Sequence, residues 1–292
     1  MTNNTNTMNK KESYIIRQAT QEEVESIAVE WAAKEGWNPG FYDTPCFYLT
    51  DPKGFFVGLL DEEPVSCISA VAYDQHFAFL GFYIVKPEYR GKGYGLKLWN
   101  TAMAYLQSRN IGLDGVVEQQ ANYKKSGFKF AYSNIRYEGA AISTAERFPE
   151  LVPLSEVPFD EIVKYDAALF PASRSQFLHR WVKQPGSLAL AALRDGKVKG
   201  YGVIRKCRAG YKIGPLFADA ADLSHKLFLA LGNGIASGSK IYLDIPEVNH
   251  AAIQLAENRG MKKVFGTARM YTKYQPDIDL NKVFGVTTFE LG

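Results

Sequence analysis

The segment Arg90-Gly91-Lys92-Gly93-Tyr94-Gly95 brings together the residue types and spacing with the clearest chemistry. Glycines let a backbone approach oxygen atoms with no side chain in the way, and Arg90 and Lys92 add positive charge. Such a turn captures phosphate; it breaks no bond. Two elements must present it. Phe77 to Val85 is an almost unbroken apolar and aromatic run, read as a strand, and Pro87 cannot continue its ladder. Leu98, Trp99, Ala102, Met103 and Leu106 recur at three- and four-residue spacing, which predicts a helix that buries one face and begins near Gly93 to Gly95. A helix N-terminus offers unpaired amides and the positive end of the dipole, so a pyrophosphate would be held there. The same order also suits an ordinary strand-to-helix connection. It is not a P-loop, because Tyr94 follows Gly93, and a dinucleotide fold would want an acid at the end of a second parallel strand.

The chain has 292 residues, enough for two domains, and 46% of them are hydrophobic, as in a globular protein. The net charge of +3 is small and its basic residues are dispersed, which excludes an electrostatic footprint for nucleic acid. Cys46, Cys67 and Cys207 are widely spaced and the four histidines lack ligand spacing, so no metal site is expected, and the thiols read as reduced in a cytoplasmic protein. Residues 1–13 are polar, with no signal peptide or membrane anchor, and read as a disordered tail.

Tyr14 to Gln18 reads as a first strand, and Thr20 with Glu23 as a capping box opening a helix to about Lys34. Phe55 to Leu60 and Val65 to Tyr73 form a hairpin across an acidic turn. Gly112 to Val117, a helical turn at Asn122 to Ser126 and a last strand Phe128 to Tyr137 complete a mixed sheet. From Leu151 the pattern restarts. Strands at Leu151 to Leu154, Leu188 to Leu193, Val198 to Arg205, Tyr211 to Phe217, Lys240 to Ile245 and Lys262 to Tyr274 alternate with helices at Phe159 to Phe170, Arg174 to Trp181, Asp222 to Leu231 and Asn249 to Asn258. The pattern reads as an internal duplication, its alternative being the strand-and-helix repetition of any mixed-sheet protein, with a domain at 14–140, a linker at 141–150 and a second domain at 151–292. The fold class is α/β, a mixed sheet in tandem copies. Where the first copy has its glycine series, the second has Gly214-Pro215-Leu216-Phe217-Ala218-Asp219-Ala220, whose acid would repel phosphate.

Arg90, Gly93 and Gly95, preceded by the apolar strand and Pro87, resemble the acetyl-coenzyme A signature of the GNAT N-acetyltransferases. The whole-chain layout is similar to a bacterial subgroup with a second, degenerate GNAT-like domain. The resemblance implies transfer of an acetyl group from acetyl-coenzyme A to a primary amine of a small acceptor, by direct attack in a ternary complex. It implies cofactor contacts at Gly91, Lys92, Tyr94 and the rest of the turn, and pantetheine pairing with the backbone of Tyr83, Ile84 and Val85. The family places a proton-donating tyrosine four residues before a Gly-Phe pair, and Tyr123 stands so before Gly127-Phe128. Its alternative is simple packing between helix and strand. The second copy has Ala256 at that place. The family's Asn-x-x-Ala element is absent from the first copy and present in the second as Asn249 and Ala252.

A primary alkylamine, with a pKa of about 10, must lose a proton before attack. Glu118 at the end of its strand is the first candidate base, with Asp43 and Asp74 behind it. The loop from Gly36 to Asp43 lies where the family builds its acceptor pocket. Trp37, Phe41 and Asp43 are therefore candidate substrate contacts, suiting an apolar or aromatic acceptor, or else the loop is a hydrophobic plug. The implied protein is a monomer or homodimer with neither nucleic-acid nor membrane partners. Rival readings are an acyl-coenzyme A-binding regulator without transfer, and a protein lysine or N-terminal acetyltransferase.

Overall fold

Two short hairpins show how the sequence sets the local geometry. Asp61 and Glu62 both take positive φ, 48° and 75°, and so do Asp195 and Gly196, 52° and 70°, the twist that a two-residue antiparallel turn needs. The computed structural model describes residues 13–142 and 144–292; the predicted tail, apart from Ser13, lies outside them. The first copy contributes β1 (Tyr14–Gln18), β2 (Phe55–Leu60), β3 (Glu63–Ala72), β4 (Phe77–Val85), β5 (Asn110–Val116) and β6 (Lys129–Ala140). The second contributes β7 (Leu151–Pro153), β8 (Leu188–Arg194), β9 (Lys197–Lys206), β10 (Tyr211–Ala218), β11 (Lys240–Pro246), β12 (Lys262–Tyr271) and β13 (Val283–Gly285). Thr20 and Glu23 form the expected capping box, and the helix beyond passes through a π-helical segment, Val24–Val29. A helix at Asp43–Tyr48 was not foreseen; Pro45 tolerates a first helical turn, and the segment has no long apolar period to announce it.

The first copy does not complete its sheet with its own last strand. The 13 strands of the described residues form one sheet, with the order β1-β2-β3-β4-β5-β12-β6-β11-β10-β9-β8-β7 and β13 added beside β10. The slot next to β5 is filled by β12 of the second copy, antiparallel, with Gly112 opposite Tyr271 and Val116 opposite Thr267. The slot next to β11 is filled by β6 of the first copy, with Asn134 opposite Pro246 and Ala140 opposite Lys240. β6 and β12 are thus interior strands of the joint sheet, each seated between strands of the other copy. Both are amphipathic enough to read as strands, but nothing in their alternation names the partner.

Two buried ion pairs fasten this sharing. Arg136 on β6 holds Asp244 on β11 through both carboxylate oxygens at 2.7 Å, and Arg269 on β12 holds Asp114 on β5 at 2.6 and 2.9 Å. Removing one partner strands the other's charge in the interior. Arg136→Met should therefore lower unfolding stability by about 3–5 kcal/mol, read as a shifted denaturant midpoint with an unchanged slope. One apolar core likewise spans both copies, joining Phe47, Phe82 and Trp31 to Trp181, Tyr201 and Phe289.

β10 and β11 pair only over Tyr211–Ile213 and Ile241–Leu243, then part. β13 fills that opening, with Leu216 opposite Gly285 and Phe217 opposite Val283, while the Val286 amide donates to the Asp244 carbonyl at 2.8 Å. Asn249, the one member of the family's Asn-x-x-Ala element placed to reach this opening, donates its amide to the carbonyls of Leu280, Asn281 and Val283 at 3.0, 3.1 and 3.0 Å. The opening between β10 and β11 of the second copy is thus occupied by residues 283–286 of the same chain.

Candidate active site

The first copy has the matching opening. β4 and β5 run parallel and bonded only from Phe77 to Leu80 against Asn110 to Leu113. Beyond Leu80, β4 stays with β3 and β5 stays with β12, so the strands separate. The separation is sharpened by a bulge. Ser69 faces Gly81 and Cys67 faces Ile84, which leaves Phe82 and Tyr83 sharing one step of β3. Phe82 takes φ 47°, strained for a residue with a side chain, and its ring is anchored in the core beside Phe47 at 5.7 Å. A cavity of 540 Å³ opens between the separated strands, lined by Gly81 to Val85 on one side and Asp114 to Val116 on the other.

One end of the cavity is the glycine turn. Gly91 and Gly93 have φ 77° and 84°, and a Cβ on either would meet nothing within 4 Å. The helix Tyr94–Leu106 begins at Gly93 with no side-chain cap and no acid in its first turn, so its first amides face the opening with a favourable dipole. Gly95 is required by packing, since a Cβ there would lie 2.6 Å from the Tyr83 hydroxyl. Arg90 spans the opening, donating to the Val85 carbonyl at 2.8 Å and to Glu35 at 2.7 Å. Lys92 sits over the Tyr89 ring at 5.2 Å, and the Tyr94 ring packs on Tyr14; neither residue lines the cavity. Open glycines, the Arg90 guanidinium beside them, and an uncapped helix start with no acid in its first turn fit a pyrophosphate.

Midway, Tyr123 on the short helix Gln120–Lys125 lies flat against Trp99, with ring centroids 5.6 Å apart, and over Gly115, where a Cβ would fall 2.2 Å from its ring. Burial, and secondarily the nearby Tyr83, push its phenol up to about 12. Tyr83, against Trp99 at 5.3 Å, is pushed to about 12 as well, chiefly by burial. Both phenols therefore stay protonated at neutral pH, as a proton donor must.

The remaining wall comes largely from the second copy: Phe265 and Thr267 of β12, Phe289 and Glu290 of the C-terminal segment, with Trp37 from the first. The other sequence candidates lie elsewhere. Glu118 is exposed and outside the lining. Asp43 is buried, accepting from Arg205 at 2.9 Å and from the Gly40 amide at 2.8 Å. Phe41 is an exposed ring covered by Arg208 at 4.8 Å. Asp74 accepts from the His76 and Phe77 amides in a tight turn. The loop bearing Trp37, Phe41 and Asp43 docks on residues 206–209 of the second copy, through the Gly40–Cys207 bridge among other bonds. Glu290 and Phe289 were missed, for Thr-Thr-Phe-Glu-Leu carries no motif and its placement depends on a crossing of the whole sheet.

Among the described residues no helix is long and apolar enough to cross a membrane, and Cys46, Cys67 and Cys207 are buried and unpaired. Residues 17–128 match the acetyltransferase (GNAT) family, and residues 162–285 match an acetyltransferase (GNAT) domain family. Holothin acyltransferase of Pseudoalteromonas sp. (strain SANK 73390) is 32% identical over 285 residues, 98% of this chain and 97% of that one. A crystal structure from Pyrococcus horikoshii superposes with a TM-score of 0.81 at 24% identity, covering 96% of each chain. A tandem GNAT protein from the clavulanic acid biosynthesis pathway has a TM-score of 0.63 at 14% identity, covering 89% of this chain and 98% of that one. With a glycine turn, a strand opening and a buried tyrosine in one cavity, and with both halves matching, the chain belongs to the GNAT acyltransferases and carries two GNAT domains in tandem.

Proposed function

We propose that this chain transfers the acetyl group of acetyl-coenzyme A to a primary amine of a small acceptor, with both substrates bound together in the first copy's cavity. The observation that carries the reading is the continuity of one cavity from the open glycines and helix start, past the separated strands, to Tyr123 and an apolar wall. The turn from Arg90 to Gly95 would hold the pyrophosphate, and the backbone of Tyr83, Ile84 and Val85, unpaired toward β5, would take the pantetheine amides. An amide of this segment would also stabilise the oxyanion of the tetrahedral intermediate. Tyr123 would protonate the departing thiolate. Trp37, Phe265 and Phe289 give the acceptor end an aromatic lining, which suits a small apolar or aromatic molecule better than a peptide. A relative named for acyl transfer to holothin, matched over nearly its whole length, supports a small-molecule acceptor. A regulator that only senses acyl-coenzyme A would need the glycine turn but neither the phenol nor an acceptor wall.

The test is thiol release from acetyl-coenzyme A across aromatic amines, aliphatic polyamines, amino acids and lysine peptides, with a no-acceptor control. Release with a small amine and not with peptides is the expected result. Binding of the donor without release above control would favour the regulator.

A further inference from the structure

Of the acids that line the cavity, Glu35, Asp114 and Glu290, the first two are paired with Arg90 and Arg269, and Glu290 has no partner among the described residues. It is 3% exposed, and neither carboxylate oxygen has a hydrogen-bond partner among the described residues. The other buried charges nearby are accounted for. Asp43 is tied to Arg205, Asp244 to Arg136 and Asp114 to Arg269. Lys212, buried on β10, has its Nζ 3.5 Å from the Trp37 carbonyl and lies within 4 Å of no carboxylate among the described residues. A buried carboxylate with no donors costs free energy that only a ligand recovers.

Its position is fixed from both sides. Thr288 accepts from the Leu291 amide at 2.9 Å, Tyr73 donates to the Leu291 carbonyl at 2.8 Å, and Arg174 donates to Thr287 at 2.8 Å. The backbone here presses on β4 at the bulge, with the Glu290 carbonyl oxygen 2.0 Å from where a Cβ on Gly81 would stand. Gly81 lines the cavity and is the first residue past the last bonded pair of β4 and β5. The geometry points to Glu290 as the residue that binds the acceptor's protonated amine and removes its proton, so that the second copy supplies the acceptor-recognising carboxylate of the first copy's site. This rests on the transferase reading above.

The chemistry balances. An alkylammonium supplies three donors to a carboxylate otherwise without any. Glu290 takes one proton, and the freed nitrogen lone pair forms the C–N bond to the thioester carbon. As the intermediate collapses the C–S bond breaks, the nitrogen loses its second proton to solvent, and the thiolate receives one from Tyr123. Solvent returns that proton to Tyr123 and removes the one on Glu290, for a net release of one proton. Arg136, Arg205 and Lys212 are the cations close enough to interact with this carboxylate, and Arg136 and Arg205 are themselves paired with Asp244 and Asp43.

Glu290→Gln keeps the shape and removes the charge. Phenethylamine, a cation near neutral pH, and aniline, uncharged there, are the probes, read by thiol release and by calorimetric binding to the protein saturated with coenzyme A. The variant should lose about tenfold to hundredfold in kcat/KM for phenethylamine, with the KM for acetyl-coenzyme A unchanged, and the deficit should shrink as pH approaches the amine's own pKa of about 10. Aniline should be affected several-fold less. Equal losses for both amines, or none, would make Glu290 a counter-charge for Arg136 and Lys212 and overturn the assignment. If the unaltered protein releases no thiol with either probe, the transferase reading fails on that count. The calorimetry still decides Glu290: weaker phenethylamine binding by the variant supports it, and equal binding or none by the unaltered protein refutes it.

Discussion

A fragment ending at residue 142 should not fold to the active conformation, and mixing it with residues 151–292 should restore thiol release. In the whole protein the free edge of β5 is satisfied by β12, over five register positions from Gly112 to Val116. β6 does not pair with β5 and reaches it through the side-chain bond from Asn134 to Asp114 at 2.7 Å; its ladder partners are β12 and β11, both from the second copy. Isolated, the first copy keeps β1 to β5 with an unpaired inner edge and a detached β6, and its own sequence offers no strand for the slot between them. Buried backbone groups without partners are costly, and an exposed apolar edge recruits other chains. Asp114 would lose Arg269 and Arg136 would lose Asp244, leaving two charges unpaired. The cavity would lose Phe265, Thr267, Phe289 and Glu290. Circular dichroism and gel filtration of the fragment should show aggregation or expansion, with no coenzyme A binding by calorimetry. A monomeric fragment that unfolds cooperatively and binds coenzyme A as tightly as the full chain would refute the view that the shared strands are essential.

The same contact explains what was legible in the sequence. Elements fixed by local chemistry were readable: the Thr20–Glu23 capping box, the two hairpin turns, the helix after Gly93 and nearly every strand arise from spacing within a dozen residues. The glycine turn was readable for the same reason, because positive φ and an uncapped helix start are local demands. Partner choice was not. A strand of alternating burial, such as Lys129–Ala140, specifies which face points inward but not which edge it meets. Glu118 and Asp43 looked suitable because they neighbour the expected groove in sequence, yet Asp43 is consumed by Arg205, 162 positions away, and Glu118 faces solvent. Conversely, Glu290 sits in a segment whose three-residue strand and surrounding coil have no periodicity, and it reaches the cavity only because β13 threads the second copy's opening first.

Tyr123→Phe should lower turnover by about 10²- to 10⁴-fold, the usual contribution of a positioned general acid, while leaving acetyl-coenzyme A affinity unchanged. The separation of effects follows from what the ring and the hydroxyl each touch. The ring stacks on Trp99 and covers Gly115, contacts that phenylalanine preserves, whereas the hydroxyl has no hydrogen-bond partner among the described residues. Removing it therefore strands no buried partner, and a loss of rate cannot be attributed to a collapsed site. The pH profile supplies an independent check. Because burial raises the phenol to about 12, the proton is present below that value and is lost only as pH rises through it. An ordinary tyrosine would titrate near about 10. The unaltered enzyme should thus show no alkaline fall in kcat from Tyr123 up to that higher value. Tyr83 shares the pocket with a similarly raised phenol, and two neighbouring phenolates would repel, so ionising one keeps the other neutral. A Tyr123→Phe enzyme with undiminished turnover would remove Tyr123 from the mechanism and move the test to Tyr83→Phe. Loss in Tyr123→Phe, with coenzyme A binding measured by calorimetry unchanged, would tie the thiolate's proton to the short helix between β5 and β6.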